Sequence, residues 1–259
     1  MTYNLIGTGN MAWFLAGRLR DAGFGCMGVY GRDADKAQEL AERAGGPIIE
    51  WLEDLNDDAD CTIVAVSDHS IAEVANSLTL TNSVVLHNAG AVPLGIINNE
   101  HKAVLWFIYS ILKTELPDHR AIPVMWEAST PKAANVVKAI GGAVSDIMME
   151  GGAGKRQWLH LSAVFANNFT NHLVTICEKI CQEQGLSFKL MMPILQQTLY
   201  RINYKSPAEL QTGPAIRKDG TTIDKHIQLL AQHPQWQQVY QSLTSSIEDM
   251  YNSDPEGKA

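Results

Sequence analysis

The sequence predicts an α/β fold in which a doubly wound, mostly parallel sheet is followed by a second domain made only of helices. In the first half of the 259-residue chain, short apolar runs that end in Gly, Asn, Asp or Ser alternate with amphipathic segments. This alternation is typical of right-handed βαβ units. After about residue 151, the β-branched runs give way to long helical segments separated by Gly and Pro. We therefore divide the chain into domains 1–150 and 151–259.

Six apolar runs are the predicted strands, and amphipathic helices connect the first of them. The run Cys61–Val66 is apolar and β-branched without alternation, which indicates a strand buried on both faces of a parallel sheet. The predicted strands are Tyr3–Gly7, Cys26–Tyr30, Cys61–Ser67, Val84–His87, Ala103–Ile108 and Pro123–Trp126. The predicted helices are Met11–Arg20, Asp35–Ala44 and Ile71–Leu78, with one long helix from about Lys155 to Gln182 in the second domain.

Composition argues against several classes of partner. The chain carries 20 Lys and Arg against 28 Asp and Glu, so its net charge of -8 gives no general attraction for nucleic acid or an anionic membrane. The beginning of the chain shows no positively charged secretion signal, and we expect a cytoplasmic protein.

The four cysteines form no CxxC pair and are expected to be reduced thiols. Cys177 and Cys181 lie one helical turn apart, but no His or carboxylate spacing completes a site, so no metal is predicted.

A glycine loop follows the first predicted strand. The segment from Gly7 to Ala12 has the pattern GxGxxA and opens an amphipathic helix. In a phosphate-binding loop, the first Gly makes a tight turn, the second lets the backbone approach a pyrophosphate, and the small third residue lets helix and strand pack closely. The helix N-terminus then offers N–H groups to the anion. A glycine-rich turn without a ligand is the alternative, which the position between strand and helix disfavours. The residues predicted to bind a dinucleotide here are Gly7, Thr8, Gly9, Asn10 and Met11.

The end of the second predicted strand indicates which dinucleotide binds. NAD sites carry Asp or Glu at this place, where the carboxylate bonds the ribose hydroxyls, but this sequence has Gly31 followed by Arg32. Gly31 leaves room for a 2′-phosphate and the Arg32 guanidinium can pair with it, so NADP is predicted over NAD. A solvated Arg32 is the alternative. Asp33 is expected to cap the next helix in either case. After the third strand, Ser67 and Asp68 are predicted to contact the cofactor or to cap the following helix.

The second domain contains two segments that are candidates for a substrate site. At 100° per residue, one stripe of the long helix carries Arg156, His160, Ala163, Asn167 and Asn171, and this face has neither Glu nor Lys from residue 157 to 177. Uncharged hydrogen-bonding groups are typical of a ligand cleft or a subunit interface. A solvent-exposed stripe on the protein surface is the alternative. The loop 210–220 is dense in turn-forming and charged residues. Its Arg217 is a candidate for binding a carboxylate, and a purely structural connection is the alternative.

Three stretches together resemble a family of two-domain NADP oxidoreductases. They are Gly7–Ala12 with Gly31 and Arg32, then Leu159–Phe169, then Gln211–Asp219. The family has a Rossmann-type N-terminal domain and an uncharacterised helical C-terminal domain, and it is related to pyrroline-5-carboxylate reductase and the deazaflavin-dependent NADP oxidoreductases. The resemblance implies an NADP site between the domains and a homodimer formed through the helical domain. By resemblance, the characteristic positions are His160, Asn167, Asn168, Gln211, Thr212, Gly213 and Arg217.

Two hypotheses about function follow. The first is an NADP-dependent oxidoreductase that transfers hydride between NADP(H) and a small imine, ketone or alcohol. His160 then donates a proton or a hydrogen bond. Asn167 and Asn168 orient the substrate, and Arg217 binds an acidic tail. The second is an NADP-binding sensor or scaffold without turnover. Departures from the relatives' pattern keep it open, since Phe107 and Tyr109 stand where relatives tend to have Pro and Gln, and Ala89 replaces a common Ser.

Overall fold

The computed structural model of the protein describes residues 1–252. Its first part is built on one seven-stranded sheet with the strand order β2-β1-β3-β4-β5-β6-β7. The first five strands are mutually parallel, β6 runs antiparallel to β5, and β7 is parallel to β6. The predicted doubly wound, mostly parallel sheet is therefore confirmed. The strands are β1 (Thr2–Ile6), β2 (Gly25–Tyr30), β3 (Cys61–Val64), β4 (Val84–His87), β5 (Lys102–Phe107), β6 (Pro123–Ala128) and β7 (Ile147–Glu150).

Side-chain caps mark the starts of two of the helices between the strands. The predicted helices correspond to α1 (Asn10–Asp21), α2 (Ala34–Ala44) and α3 (Ile71–Ser77). Asp33 caps α2, as predicted, because its carboxylate accepts a hydrogen bond from the Lys36 backbone N–H at 3.1 Å. The sequence prediction missed α4 (Pro131–Val144) and the strand β7 that follows it. Thr130 and the Pro at the first helical position were the available signals for α4, since the Thr130 hydroxyl accepts from the Ala133 N–H.

Both faces of the sheet are covered. Leu5, Ile63 and Leu86 belong to a large apolar cluster with residues of α1, α2 and α4 on one face. Ile6 and Val64 pack on the other face with residues of α3. Because neighbouring residues of one strand point to opposite faces, β1 and β3 are apolar without alternation. This burial leaves the carboxyl ends of β1 to β5, with the loops that follow them, as the edge where polar side chains collect.

From residue 151 to residue 252 the structure contains helices and turns and no strand. The chain divides into two compact units, Met1–Asn168 and Phe169–Ala259, and the predicted boundary at residues 150 and 151 stays a prediction. The predicted long helix is interrupted, because a π-helical turn, Val164–Phe169, separates its two α-helical parts. None of the described helices is both long enough and apolar enough to cross a membrane. The helices are α5 (Ala153–Ala163), α6 (Thr170–Glu183), α7 (Met192–Arg201), α8 (Gly220–Leu229) and α9 (Pro234–Asn252).

Candidate active site

A first cavity lies at the carboxyl ends of β1, β2 and β3. Its volume is about 670 Å³. In open α/β sheets, ligands bind at this edge, where loops and helix N-termini expose backbone groups. All the residues predicted to bind the cofactor line it except Asp68, which lies beside it in a short 3-10 turn. The predicted residues in the lining are Gly7, Thr8, Gly9, Asn10, Met11, Gly31, Arg32 and Ser67.

The glycine loop has the shape that its sequence predicts. Gly7 has a φ of 106° and donates its N–H to the Tyr30 carbonyl at 2.9 Å. A side chain at this position would be strained by the backbone and would collide with the Ala65 carbonyl. Gly9 is the residue before α1, and a Cβ built on it meets nothing within 4 Å. Gly9 therefore keeps the cavity open in front of the α1 N-terminus, whereas Gly7 is required by the backbone conformation and by the close approach of Ala65.

The turn after β2 and the first turn of α2 carry two cations beside the glycine loop. Gly31 packs against Thr8, because a Cβ built on Gly31 would lie 2.5 Å from the Thr8 methyl carbon. Arg32 is exposed, and no described residue forms a hydrogen bond or ion pair with its guanidinium. Lys36 also lines the cavity, and its ammonium lies 2.7 Å from the Asp33 carboxylate. This contact lowers the pKa of Asp33 and raises that of Lys36. Sequence reasoning missed Lys36, although it lies one helical turn beyond Asp33.

The loop after β3 completes this cavity with hydroxyl groups. The hydroxyls of Ser67 and Ser70 lie 3.0 Å apart, and both residues line the cavity. Asp68 begins the 3-10 turn that leads into α3, and neither Ser67 nor Ser70 makes a side-chain capping bond at the helix starts here. The role of Asp68 as a cofactor contact stays a prediction.

A second cavity, of about 850 Å³, lies at the carboxyl end of β5. The loop between β5 and β6 forms one wall, and α5 with the π-helical turn forms another. His160, Asn167 and Asn168 were predicted as a group, and all three line this cavity. Phe107 and Tyr109, the two departures from the relatives' pattern, line it as well. The cavity therefore joins residues that are far apart in the sequence.

His160 packs between the β5 strand and the loop after β4. Its ring centroid lies 5.6 Å from that of Trp106. Its Nδ1 atom is buried and has no hydrogen-bond partner among the described residues. Gly90 approaches the same place so closely that a Cβ built on it would lie 2.7 Å from His160 Nδ1 and 2.6 Å from Trp106 Cε2. Since Nδ1 is buried, any hydrogen bond from the ring to a molecule in the cavity would have to use Nε2.

The π-helical turn brings both asparagines to the cavity. In an α-helix, consecutive residues point 100° apart, so the predicted stripe contains Asn167 but not Asn168. The wider turn over Val164–Phe169 changes this phase, and both amides line the cavity. Single π-helical turns inside α-helices occur frequently at functional sites.

Arg156, which the sequence places on the same stripe as His160, is buried instead, with 1% of its surface exposed. Its guanidinium donates to the Gly90 carbonyl at 3.2 Å, to the Val92 carbonyl at 2.9 Å and to the Glu127 carboxylate at 2.6 Å. Burial, and secondarily the positive charge of Arg156, lower the pKa of the neighbouring His87 to about 4. The sequence offered no signal for this group, because its members lie on β4, the loop after it, β6 and α5.

The β5–β6 loop is tied to the glycine loop and to α1. The Asn10 side-chain oxygen accepts the Lys113 backbone N–H at 3.1 Å. The Arg18 guanidinium donates to the Pro117 and His119 carbonyls. In the second cavity, the Tyr109 hydroxyl lies 3.5 Å from His119 Nε2. A residue of the first cavity thus supports the loop that forms one wall of the second.

Arg217 belongs to the second compact unit. It is exposed, in a run of turns that precedes α8. Gly213 and Lys218 in the same segment have positive φ angles of 111° and 57°, and Asp219 caps α8. The segment is therefore a tightly turned connection, and the role predicted for Arg217 stays a prediction.

Both parts of the chain match protein-family models. Residues 2–88 match the model described as NADP oxidoreductase, coenzyme F420-dependent, and residues 122–247 match a domain of unknown function called DUF2520. None of the curated proteins matches the chain.

Solved structures resemble the protein over almost its whole length. A protein from Bacteroides fragilis, provisionally assigned as an NADP oxidoreductase, is 31% identical with a TM-score of 0.87, covering 96% of this chain and 98% of its own. Protein TM1727 from Thermotoga maritima is 23% identical with a TM-score of 0.80, covering 96% and 99%. A reductive aminase from Aspergillus terreus, solved with NADPH and ethyl-5-oxohexanoate, is 13% identical with a TM-score of 0.71, covering 100% and 96%.

Proposed function

The chain belongs to the NADP oxidoreductase family whose members join this N-terminal domain to the DUF2520 domain, and from this premise we propose that it transfers hydride between NADP(H) and a small imine. The family is the one that the three sequence stretches predict, and NADP is the cofactor that its description names. The observation that carries the proposal is the pair of cavities at the carboxyl ends of one sheet. One is lined by the glycine loop and a free arginine, and the other by the predicted polar residues.

The first cavity fits a dinucleotide. The open space at Gly9 and the N-terminal amides of α1 suit a pyrophosphate, because unpaired N–H groups and the helix dipole both favour an anion. Gly31 places no carboxylate at the position where NAD sites carry one. Arg32 supplies positive charge for a 2′-phosphate, and Lys36 supplies a second cation, which is paired with Asp33. NADPH would supply the hydride when bound. We expect Ser67 to contact the ribose.

The second cavity supplies the groups that would handle a substrate. His160 would exchange a proton with it through Nε2, since Nδ1 is buried. Asn167 and Asn168 would orient the substrate by hydrogen bonds to its nitrogen or oxygen atom. The apolar part of the wall, which includes Phe107, would exclude water from the reacting atoms.

The charges of the second cavity favour an imine over the ketone and alcohol alternatives. Among the described residues, its lining contains the carboxylates Glu115 and Asp118 and neither Lys nor Arg. Trp106 and Tyr109 add aromatic rings, which attract cations. A protonated imine is positively charged, whereas a ketone or an alcohol is neutral. An acidic group on the substrate would need a cation from outside this lining.

We also propose a homodimer formed through the helical domain. Its helices expose several large apolar side chains, and contiguous apolar surface usually marks an interface. Mass determination in solution tests this directly. The most exposed of these side chains in the second unit, each at least 61% exposed, are Leu190, Ile194, Leu199, Tyr200, Tyr204, Leu229 and Met250.

The relative affinities for NADPH and NADH test whether the first cavity is an NADP site. NADPH and NADH are titrated against the wild type, Arg32→Ala and Arg201→Ala, with tryptophan fluorescence as the signal. Trp13 on α1 is a reporter close to the glycine loop. We expect the wild type to prefer NADPH and Arg32→Ala to lose roughly tenfold to a hundredfold in NADPH affinity with little change for NADH. Arg201, an exposed arginine of α7, is the matched control and should change neither value. Equal affinity for both nucleotides in the wild type contradicts the assignment.

Measurements of turnover test whether the second cavity binds and reduces an imine. NADPH oxidation is followed with 2-methyl-1-pyrroline, a small cyclic imine, for the wild type and His160→Ala. We expect the variant to lose about a hundredfold to ten-thousandfold in kcat while its NADPH affinity stays unchanged. Equal turnover in the variant would remove His160 from the reaction. NADPH binding without turnover of imines, ketones or alcohols would instead favour the sensor hypothesis.

A further inference from the structure

Arg156 is the largest fully buried side chain of the protein among the described residues. A buried guanidinium is costly, and it persists only where its charge is balanced and its donors are satisfied. Glu127, which is only partly buried, balances the charge, and the Gly90 and Val92 carbonyls accept the remaining donors. A well-packed apolar side chain would satisfy the fold at lower cost. The proposed reaction does not itself use Arg156, so its burial calls for another reason.

The two carbonyls that Arg156 binds belong to the loop that follows β4. This loop has little regular structure of its own between His87 and the 3-10 turn at Leu94–Ile96. A guanidinium that donates to two of its carbonyls restrains it in one conformation, because the planar group fixes the directions of its N–H bonds. Arg156 therefore attaches this loop to the first turns of α5.

Gly90 and His160 connect this attachment to the second cavity. Arg156 and His160 are four residues apart on α5, so they lie on the same face of the helix one turn apart. Gly90, whose carbonyl Arg156 binds, lies against the His160 ring and Trp106. The His160 ring thus packs against Trp106 and against Gly90, which belongs to the loop that Arg156 holds.

We propose that Arg156 is a positioning residue, which holds the loop after β4 against His160 and so sets where the imidazole stands in the second cavity. The proposal rests on the role of His160 in the proposed function. A displacement of about 1 Å in a reacting group can cost about a hundredfold in rate. The restraint on His160 is therefore large enough to matter for catalysis even though Arg156 touches no substrate.

Arg156→Lys is the informative variant. Lysine keeps the positive charge beside Glu127, but its single ammonium cannot reach both carbonyls and the carboxylate with the geometry of the guanidinium. Arg120→Lys is the matched control. Arg120 also donates to two backbone carbonyls, of Ala143 and Gly142, and to one carboxylate, of Asp146. It is more exposed than Arg156, neither it nor these partners line either of the two cavities, and Gly90 is not among the partners.

Two readouts separate positioning from general stabilisation. The ring nitrogen resonances of His160 are recorded by NMR in the full-length variants, with His160→Gln to assign them. NADPH affinity and the kcat for 2-methyl-1-pyrroline are measured in parallel. We expect both lysine variants to lower the thermal unfolding midpoint. Only Arg156→Lys should shift the His160 resonances and lower kcat about tenfold to a hundredfold, with NADPH affinity unchanged.

Glu127→Gln is a second variant that tests the proposal if Arg156→Lys does not fold. It keeps a hydrogen-bond acceptor for Arg156 and removes the balancing charge, so a smaller shift of the same resonances is expected. Unchanged His160 resonances in a folded variant would overturn the proposal, even if the wild type turns over imines. If the wild type shows no turnover but the His160 resonances of the variants still shift from those of the wild type, the positioning role is supported and only the proposed function is refuted. Equal losses of kcat in the Arg156 and Arg120 variants would reduce Arg156 to a structural residue.

Discussion

The buried His87 makes the stability of this protein depend on pH in a way that one substitution removes. His87 is 0% exposed at the end of β4, and its Nδ1 accepts the Ala89 N–H. Burial, followed by the charge of Arg156, lowers its pKa from 6.5 to about 4, although the nearby Pro93 carbonyl favours the protonated ring. The folded protein therefore keeps His87 neutral at pH values where the unfolded chain protonates it.

The size and direction of the effect follow from this difference. Below pH 6.5 the imidazole of His87 is protonated in the unfolded state but stays neutral in the folded state. The free energy of unfolding therefore decreases as the pH falls toward about 4. The pKa difference corresponds to about 3 kcal/mol when it is fully expressed. Because a domain is stable by only about 5–15 kcal/mol, this loss is readily measured. Well above pH 6.5 both states hold His87 neutral, and the histidine no longer contributes to the slope.

His87→Asn removes the titration and keeps an oxygen that can accept the Ala89 N–H. Urea unfolding of the wild type and the variant is measured at intervals from pH 7.5 to pH 4.5. The variant is expected to be less stable at neutral pH, since it leaves unfilled space. The difference between the two proteins should shrink by about 1.4 kcal/mol per pH unit well below pH 6.5. A difference that stays constant over this range would refute the assignment of a neutral, buried His87.

The glycines and one loop carboxylate give further predictions. Gly7→Ala should lower the thermal unfolding midpoint because its φ is 106°, whereas Gly9→Ala should keep the midpoint and lose NADPH affinity in fluorescence titrations. Gly90→Ala should displace the His160 ring and lower kcat while NADPH affinity is retained. Asp57 accepts backbone N–H bonds from three consecutive residues, which outweigh its desolvation and lower its pKa. Asp57→Asn should therefore cost about 1–3 kcal/mol in urea unfolding at pH 7, and this cost should decrease as the pH falls below the ordinary carboxyl range and Asp57 becomes protonated.

Features that depend on neighbouring residues could be predicted from the sequence. The glycine loop is one, since its turn and helix start are decided within the six residues from Gly7 to Ala12. The cap at Asp33 is another, because its bond reaches only to Lys36. The buried strand β3 was recognisable from its own composition. The predictions missed β7, a short strand with exposed Ile147 and Met149, because its burial pattern is set by its place at the sheet edge.

Features that depend on distant residues required the tertiary structure. His160, Asn167 and Asn168 were identifiable as a polar group, but only the fold shows that Phe107 and Tyr109 share a cavity with them. The helical phase that brings both asparagines to this cavity depends on a π-helical turn that no local pattern indicated. Arg156 looks like an ordinary helix residue until the loop after β4 supplies its two carbonyls and strand β6 its carboxylate. Local chain geometry is encoded by adjacent side chains, whereas burial and the pairing of charges are decided by which segments the sheet brings together.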